Sequence, residues 1–288
     1  MTNELQTDNR RRIRVYPDAE TIMDRLERRW TLSSHRPALT PNIARQIVRM
    51  AHLPDLTWRE AMDLFGQSPV LAAALLREAC QVGRATSLPE AVDVLGLDRA
   101  RAVLLRFAYD LKLTKQPDVI RAVTAIQHHS WRCARVAEVI CRYTTLDADR
   151  ARTCALMQDI GLIAGMYAIT DTSPGVAPPH ISDCAVMLDA GHETLSWYVA
   201  ECWDLPREIK DVLANHHQVK MDGYPHPYCA VLVVAAAVVA ELGLDLDIDG
   251  MPSRTPSPAL LLEALDALGL TEVQFLLIRK QGRSVLTG

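Results

Sequence analysis

Five ionisable side chains in the middle of the chain could take part in chemistry. They are His129, Asp159, His192, His216 and His217, and each lies within or next to an apolar pattern of helical spacing. Imidazole nitrogens and a carboxylate that converge from different helices can hold a metal ion inside a helical bundle. The same side chains can instead satisfy buried backbone carbonyls or pair with one another. For the three later histidines, the sequence favours this structural interpretation over a vestigial metal or anion pocket.

The two adjacent histidines pose a geometric problem. Neighbouring positions on an α-helix do not face the same side. If the segment around them is helical, we expect at most one of His216 and His217 to point inward.

Helices must position these side chains, because apolar positions recur at helical spacing along the chain. Thr57-Trp-Arg-Glu60 and Ser87-Leu-Pro-Glu90 fit the capping box, and Asp98 is expected to cap the helix that follows Gly96. Strand alternation is absent, and Asp222-Gly223 suits a loop. We therefore expect an all-α fold. The helices predicted in the second half cover residues 118–142, 148–158, 182–203, 206–217 and 228–242.

Changes in composition divide the chain into four parts. We expect an N-terminal arm with one helix (1–35), a first helical bundle (36–112), a second bundle packed against it (113–243), and a linker with a short helical tail (244–288). The Pro-rich and acidic stretch 244–258 is the predicted linker. The arm helix carries an apolar stripe formed by Ile22, Met23, Leu26 and Trp30, and packing of this stripe on its own domain is favoured over docking to a partner.

Charge and composition argue against several classes of function. The net charge of −4 and the pI of about 6.1 give no indication of nucleic-acid binding. The basic cluster at residues 10–14 is typical of a solvated stretch, and DNA contact through it is a minor hypothesis. Seven cysteines without a C-x-x-C pair are typical of reduced thiols. The polar N-terminus and the shortness of the apolar run Cys229–Ala240 predict a cytoplasmic protein with no membrane contact.

Several motifs, in the right order, resemble the HDOD family, a degenerate branch of the HD superfamily. His129-Ser130 resembles the first-histidine helix of HD domains, and the CALMQDIGL run of Cys154–Leu162 resembles their G-L-L-H-D-I-G helix end. The stretch 192–217 resembles the later half of the HDOD family. N-terminal motifs add to the match: Arg36-Pro37, Ser68–Ala79 and Ser87–Gly96. The resemblance covers about residues 36–243 and implies that the second bundle is HD-like.

The chain departs from the catalytic HD pattern at two positions. Gln158 stands where the histidine of the His-Asp pair is expected, and a glutamine amide is a poor substitute for imidazole at a transition metal. The later aspartate is expected near Ala235–Ala237, where no carboxylate occurs. His129 and Asp159 alone make too few ligands for a hydrolase. The sequence therefore predicts no catalytic residues and no cofactor, apart from an adventitious divalent metal, at a vestigial pocket formed by His129, Gln158, Asp159, His192, His216 and His217.

The resemblance implies a bacterial signal-transduction output module that works through protein–protein contacts. Its expected partner is a signalling or regulatory protein, bound at the groove between the bundles or at the stripe of the arm, and a homodimer is left open. The alternative is a residual metal- or nucleotide-binding phosphohydrolase of the HD type that uses the remaining histidines.

Overall fold

The computed structural model describes residues 39–51, 53, 55–109, 114–170, 172 and 177–287. Apart from one short hairpin, the regular structure in these ranges is helical, as the sequence predicts. The predicted arm, with its apolar stripe and basic cluster, lies outside the described residues.

The described part of the first bundle contains five helices. They are α1 (Pro41–Ala51), α2 (Trp58–Phe65), α3 (Pro69–Cys80), α4 (Leu88–Leu95) and α5 (Leu97–Tyr109). The capping box that begins α2 is complete, because Thr57 and Glu60 each accept a bond from the other's backbone N–H. Ser68 caps α3 by accepting from the N–H of Leu71.

Two details at the start of α4 and α5 differ from the prediction. Ser87 caps α4, but the carboxylate of Glu90 binds the N–H and hydroxyl of Thr86 instead, so the second capping box is only half formed. Gly96 ends α4 with a positive φ of 74°, and α5 begins at the next residue. Asp98 therefore lies in the first turn of α5, where its charge favours the helix N-terminus, and is not the cap.

The second bundle is built around one long helix. Its members are α6 (Pro117–Cys141), α7 (Ala148–Met157), α8 (Ile160–Thr170), α9 (Ile181–Cys202), α10 (Arg207–Ala214) and α11 (Pro227–Glu241). Helix α6 packs against α7 and α11, while α8 packs along α9. One buried apolar core is continuous through both bundles, and the Leu88 N–H donates to the Thr153 hydroxyl where α4 meets α7. The fold is thus all-α, with the two bundles packed together.

The sequence did not predict α8, because this helix has no polar face to mark its period. All but two of its residues are buried. Within the described ranges one stretch, Ala148–Thr170, is long and apolar enough to cross a membrane, yet 89% of the relevant window is buried inside the protein. A turn at Gln158-Asp159 divides that stretch into α7 and α8, which are core helices.

A close approach between backbones brings α8 against α9. A Cβ at Gly161 would lie 2.3 Å from the carbonyl oxygen of His192 and 2.4 Å from the backbone nitrogen of Ser196. The Ser196 hydroxyl accepts from the Gly161 N–H and donates to the Gln158 carbonyl. Glycine is therefore required at position 161, and the contact holds the Gln158-Asp159 turn beside the middle of α9.

Asp222-Gly223 turns a small antiparallel hairpin, where the sequence analysis expected only a loop. Strands β1 (Lys220–Met221) and β2 (Tyr224–Pro225) pair across it. Both turn residues have positive φ, 52° and 82°, as a two-residue hairpin turn requires. The strands are only two residues long, too short to show alternation in sequence.

The predicted linker packs against the second bundle. Leu246 and Ile248 are buried, and Arg254 reaches into the bundle interior. Two helices follow, α12 (Pro258–Ala267) and α13 (Glu272–Thr287), and they pack on α11 and α6. Residues 244–257 are therefore an integral part of the structure, because two apolar side chains and one buried ion-pair network attach them to it.

Candidate functional site

Four structural elements bring the singled-out residues together. His129 lies in the middle of α6, Asp159 in the turn between α7 and α8, and His192 in the middle of α9. His216 and His217 follow the end of α10. Asp159 is 1% exposed and His216 2% exposed, so the cluster lies inside the protein.

His216 and His217 both point into this cluster, because the helix predicted over 206–217 ends before them and the condition for only one to point inward does not hold. The Nε2 atoms of His216 and His217 lie 3.1 and 3.0 Å from the Nε2 atom of His192. Helix α10 ends at Ala214, so His216 and His217 lie in a turn. In a turn, adjacent side chains can point to the same side. We call these three residues the histidine triad.

Backbone carbonyls fix the tautomers of two triad members. The Nδ1 atom of His192 donates to the Asp189 carbonyl, and the Nδ1 atom of His216 donates to the Leu213 carbonyl at 2.9 Å. In a neutral imidazole the other ring nitrogen then carries a lone pair. The Nε2 lone pairs of His192 and His216 therefore face each other across 3.1 Å.

Burial keeps the triad neutral. It lowers the pKa of His192, lowers that of His216 well below its ordinary value, and lowers that of His217 to about 4. At neutral pH the three imidazoles thus present nitrogen lone pairs.

An arginine from the 244–257 segment enters the site. Arg254 Nη1 donates to Asp159 Oδ1 and Arg254 Nε donates to Asp189 Oδ1, both at 2.7 Å. The Arg254 side chain is 6% exposed. Burial raises the pKa of Asp159, but the neighbouring guanidinium and imidazoles outweigh it and hold that pKa far below its usual range.

Neither Arg254 nor Asp189 stands out in the sequence as a site residue. Arg254 lies in an irregular Pro-rich stretch where no periodicity indicates direction, and Asp189 looks like an ordinary polar position of a long helix. The only usable signal is that a buried Asp159 needs a cationic partner.

His129 approaches the carboxylate oxygen of Asp159 that Arg254 does not bind. Its Nε2 atom is 3.9 Å from Asp159 Oδ2, and that carboxylate oxygen is buried without a hydrogen bond among the described residues. Burial lowers the pKa of His129, and its Nδ1 atom is 3.7 Å from Asp245 Oδ1. His129 therefore approaches two carboxylates without hydrogen bonding to either.

The residues at the HD positions do not fit the metal site of a catalytic HD domain. Gln158 lines a cavity of about 310 Å³ next to His129, and Ala236 lines it from the Ala235–Ala237 stretch where the resemblance places the later aspartate. The other carboxylate oxygen of Asp159, Oδ1, accepts a hydrogen bond from Arg254. Too few ligands remain at these positions to hold an ion with an open coordination site.

The fold and the partial HD constellation define a protein related to the HD phosphohydrolase superfamily. The HDOD domain family model matches residues 38–219, and the chain belongs to the HDOD family. A search of curated protein sequences finds no match.

Several solved structures are similar to this chain. The response regulator MmoQ from Methylococcus capsulatus is 19% identical with a TM-score of 0.60, over 84% of this chain and 97% of that one. A virulence factor from Campylobacter jejuni is 11% identical with a TM-score of 0.52, over 87% and 99%. An HDOD domain protein of unknown function from Geobacter sulfurreducens is 19% identical with a TM-score of 0.41, over 93% and 96%. At these identities the first two similarities show the fold alone.

Proposed function

We propose that this protein is a non-catalytic signal-transduction output module of bacterial type that acts through protein–protein contacts. The observation that carries the proposal is the buried pair of Arg254 and Asp159. The guanidinium supplies positive charge to the carboxylate at the HD position, but it offers no coordination site for a water molecule.

Hydrolysis of the HD type requires an activated water on a bound metal. Gln158 and Ala236 lie where such a metal would need a histidine and an aspartate ligand. Arg254 occupies one carboxylate oxygen of the remaining aspartate, Asp159. The fold then serves as a scaffold whose surface, and not its interior, meets the partner. The name of one structural neighbour, a response regulator, supports a role in signalling.

The C-terminal helices present an apolar surface suited to such a contact. Val273, Leu276 and Leu277 lie on one face of α13 at i, i+3 and i+4 spacing, and they are 67%, 51% and 42% exposed. Leu262 on α12 is 67% exposed as well. We assign the partner contact to this face of α13, because clustered exposed apolar side chains mark interaction sites. The partner is a signalling or regulatory protein.

A paired affinity experiment tests the contact. The double variant Val273→Glu/Leu276→Glu should no longer co-purify the partner that the unaltered protein captures. Quantitative mass spectrometry of both eluates measures this difference. Val82→Glu, at another exposed apolar position, is the matched control and should retain it. Identical eluates from all three proteins would overturn the assignment, and loss of self-association on light scattering would identify the partner as a second copy.

A further part of the proposal concerns location. All seven cysteines, each within the described ranges, are free thiols, and this supports a reducing, cytoplasmic compartment. Alkylation in intact cells should label reduced thiols, and disulfides in the protein isolated from cells would contradict this location.

The alternative, a residual metal-dependent phosphohydrolase, is favoured by one observation. Asp159 and the histidine triad place four ligand atoms within 4.8 Å of one another. This alternative predicts phosphoester turnover that requires Asp159.

A further inference from the structure

Another cavity lies between the two bundles. Its volume is about 330 Å³, and the described residues that line it belong to the start of α1, the turn after α2 and the middle of α6. None of them also lines the cavity beside His129 or belongs to the α13 face that the proposed function uses. Small-molecule sites in proteins begin at about this volume and are common where two packed units meet.

One face of α6 lines this cavity with polar and aromatic side chains. Thr124, Gln127, His128 and Trp131 follow one another at i, i+3, i+4 and i+7, which places them on the same side of the helix. A helix in a bundle normally turns an apolar stripe toward its neighbours. Here a hydroxyl, a carboxamide and two ring side chains face the start of α1, so core packing does not explain this stripe.

The polar groups around the cavity do not bind one another. Gln127 is 6% exposed and Thr40 is 2% exposed, and the Thr40 hydroxyl is buried without a hydrogen-bond partner. Within the part of the chain that the structure describes, the carboxamides of Asn42, Gln67 and Gln127 make no hydrogen bond either. Unpaired polar groups at buried positions are unfavourable. Their convergence on one cavity therefore indicates a ligand that they bind.

The composition of the cavity favours an uncharged, planar ligand. Its described lining contains no Lys, Arg, Asp or Glu, so it offers no counter-charge to a phosphate or an amine. A carboxamide pairs with an edge that presents a donor beside an acceptor, and Asn and Gln bind the N6–N7 edge of adenine in this way. The indole of Trp131 is the kind of aromatic surface on which nucleobases stack.

We propose that this cavity binds an adenine-type purine, as the free base or the nucleoside. Gln127 pairs with the N6–N7 edge of the base, Trp131 stacks on its face, and the Thr40 hydroxyl gains a partner. Because these residues come from both bundles, the ligand joins α1 to α6 and stabilises the packing of one bundle on the other.

Calorimetric titration of the full chain tests the site. In the presence of chelator, which prevents any metal-dependent binding at the histidine triad, adenine and adenosine should each bind with one molecule per chain. AMP should bind no more tightly than adenosine, because no cation among the described lining residues meets its phosphate. The absence of saturable adenosine binding would overturn the proposal, as would tighter binding of AMP or equal binding of uridine.

A pair of glutamine variants locates the ligand. Gln127→Met keeps a side chain of similar length and removes the carboxamide, so adenosine binding should weaken by about 10- to 100-fold, the contribution of one bidentate contact to a base. Gln81→Met changes an exposed glutamine outside the cavity, and this matched control should bind adenosine as the unaltered protein does. Equal affinities of the two variants would overturn the assignment.

A second substitution keeps the proposal testable if the buried Gln127 variant does not fold. Trp131 is only partly buried, so Trp131→Ala disturbs the core less. It should weaken adenosine binding by about 10- to 100-fold, since stacking on one aromatic side chain is worth that much. A folded Trp131→Ala protein, as judged by circular dichroism, that binds adenosine with full affinity would contradict the placement of the base in this cavity.

Discussion

Arg254 donates a 2.7 Å hydrogen bond to Asp159, and both side chains are almost completely buried. This pair joins a residue from the irregular 244–257 segment to the turn between α7 and α8. It explains why a Pro-rich stretch that reads as a linker is packed onto the HD-like bundle.

Loss of Arg254 should strongly destabilise the protein. Arg254→Met leaves the Asp159 and Asp189 carboxylates without their guanidinium partner, and breaking one side of a buried pair costs about 3–5 kcal/mol. Urea unfolding should show this as a lower free energy of unfolding. Arg279→Met, which breaks the exposed pair with Glu241, is the control and should cost about 0–1 kcal/mol. Equal losses from the two variants would mean that the buried pair does not attach the segment.

Gly161 should be intolerant of any side chain. In Gly161→Ala the new Cβ would meet backbone atoms of α9 at 2.3 and 2.4 Å, and backbone cannot move aside cheaply. We expect a loss of at least about 1–3 kcal/mol, the usual cost of overpacking. Gly191→Ala is a matched control, because a Cβ there meets nothing within 4 Å, and alanine stabilises a helix by about 0.5–1 kcal/mol relative to glycine. If both alanine variants unfold at the same urea concentration, the α8–α9 approach is looser than described.

Stability should fall on mild acidification. Burial lowers the folded-state pKa of His217 to about 4, whereas the unfolded value is about 6.5. Between these values the unfolded state binds more protons, so stability rises with pH across the window and is lost as pH falls from about 6.5 to about 4. One such histidine contributes at most about 1.4 kcal/mol per pH unit.

The metal-free protein, held in chelator, is the right sample for this test. His217→Gln should reduce the slope of unfolding free energy against pH between 4 and 6.5. Asn215→Ala removes a non-titrating side chain from the same turn, where it bonds to the Asp211 carbonyl, and should shift stability without changing the slope. An unaltered slope in His217→Gln would show that this imidazole does not titrate with unfolding.

The all-α fold could be predicted because helix periodicity and capping signals are local. Thr57 with Glu60, and Ser68 with Pro69, mark the starts of α2 and α3 within three or four residues of sequence. Helix α8 could not be predicted in the same way, since a helix buried on all sides has no polar stripe to show its period.

The histidines and Asp159 were predictable members of the site, whereas Arg254, Asp189 and the geometry were not. Histidine and aspartate types at separated positions pointed to a common pocket, but the end of α10 at Ala214 decides that His216 and His217 both turn inward. Arg254 enters from a segment without periodicity, more than sixty residues along the chain from Asp189, and no local pattern encodes such a contact.

Phosphoester turnover tests the central claim most directly. The unaltered protein and Asp159→Asn should be assayed with phosphomonoester, phosphodiester and nucleotide substrates in the presence of Zn²⁺, Mn²⁺ or Mg²⁺. We predict that both proteins give the same background rate with every metal, because Arg254 occupies the carboxylate at the HD position and two ligands are missing. A metal-dependent rate in the unaltered protein that disappears in Asp159→Asn would contradict the non-catalytic account.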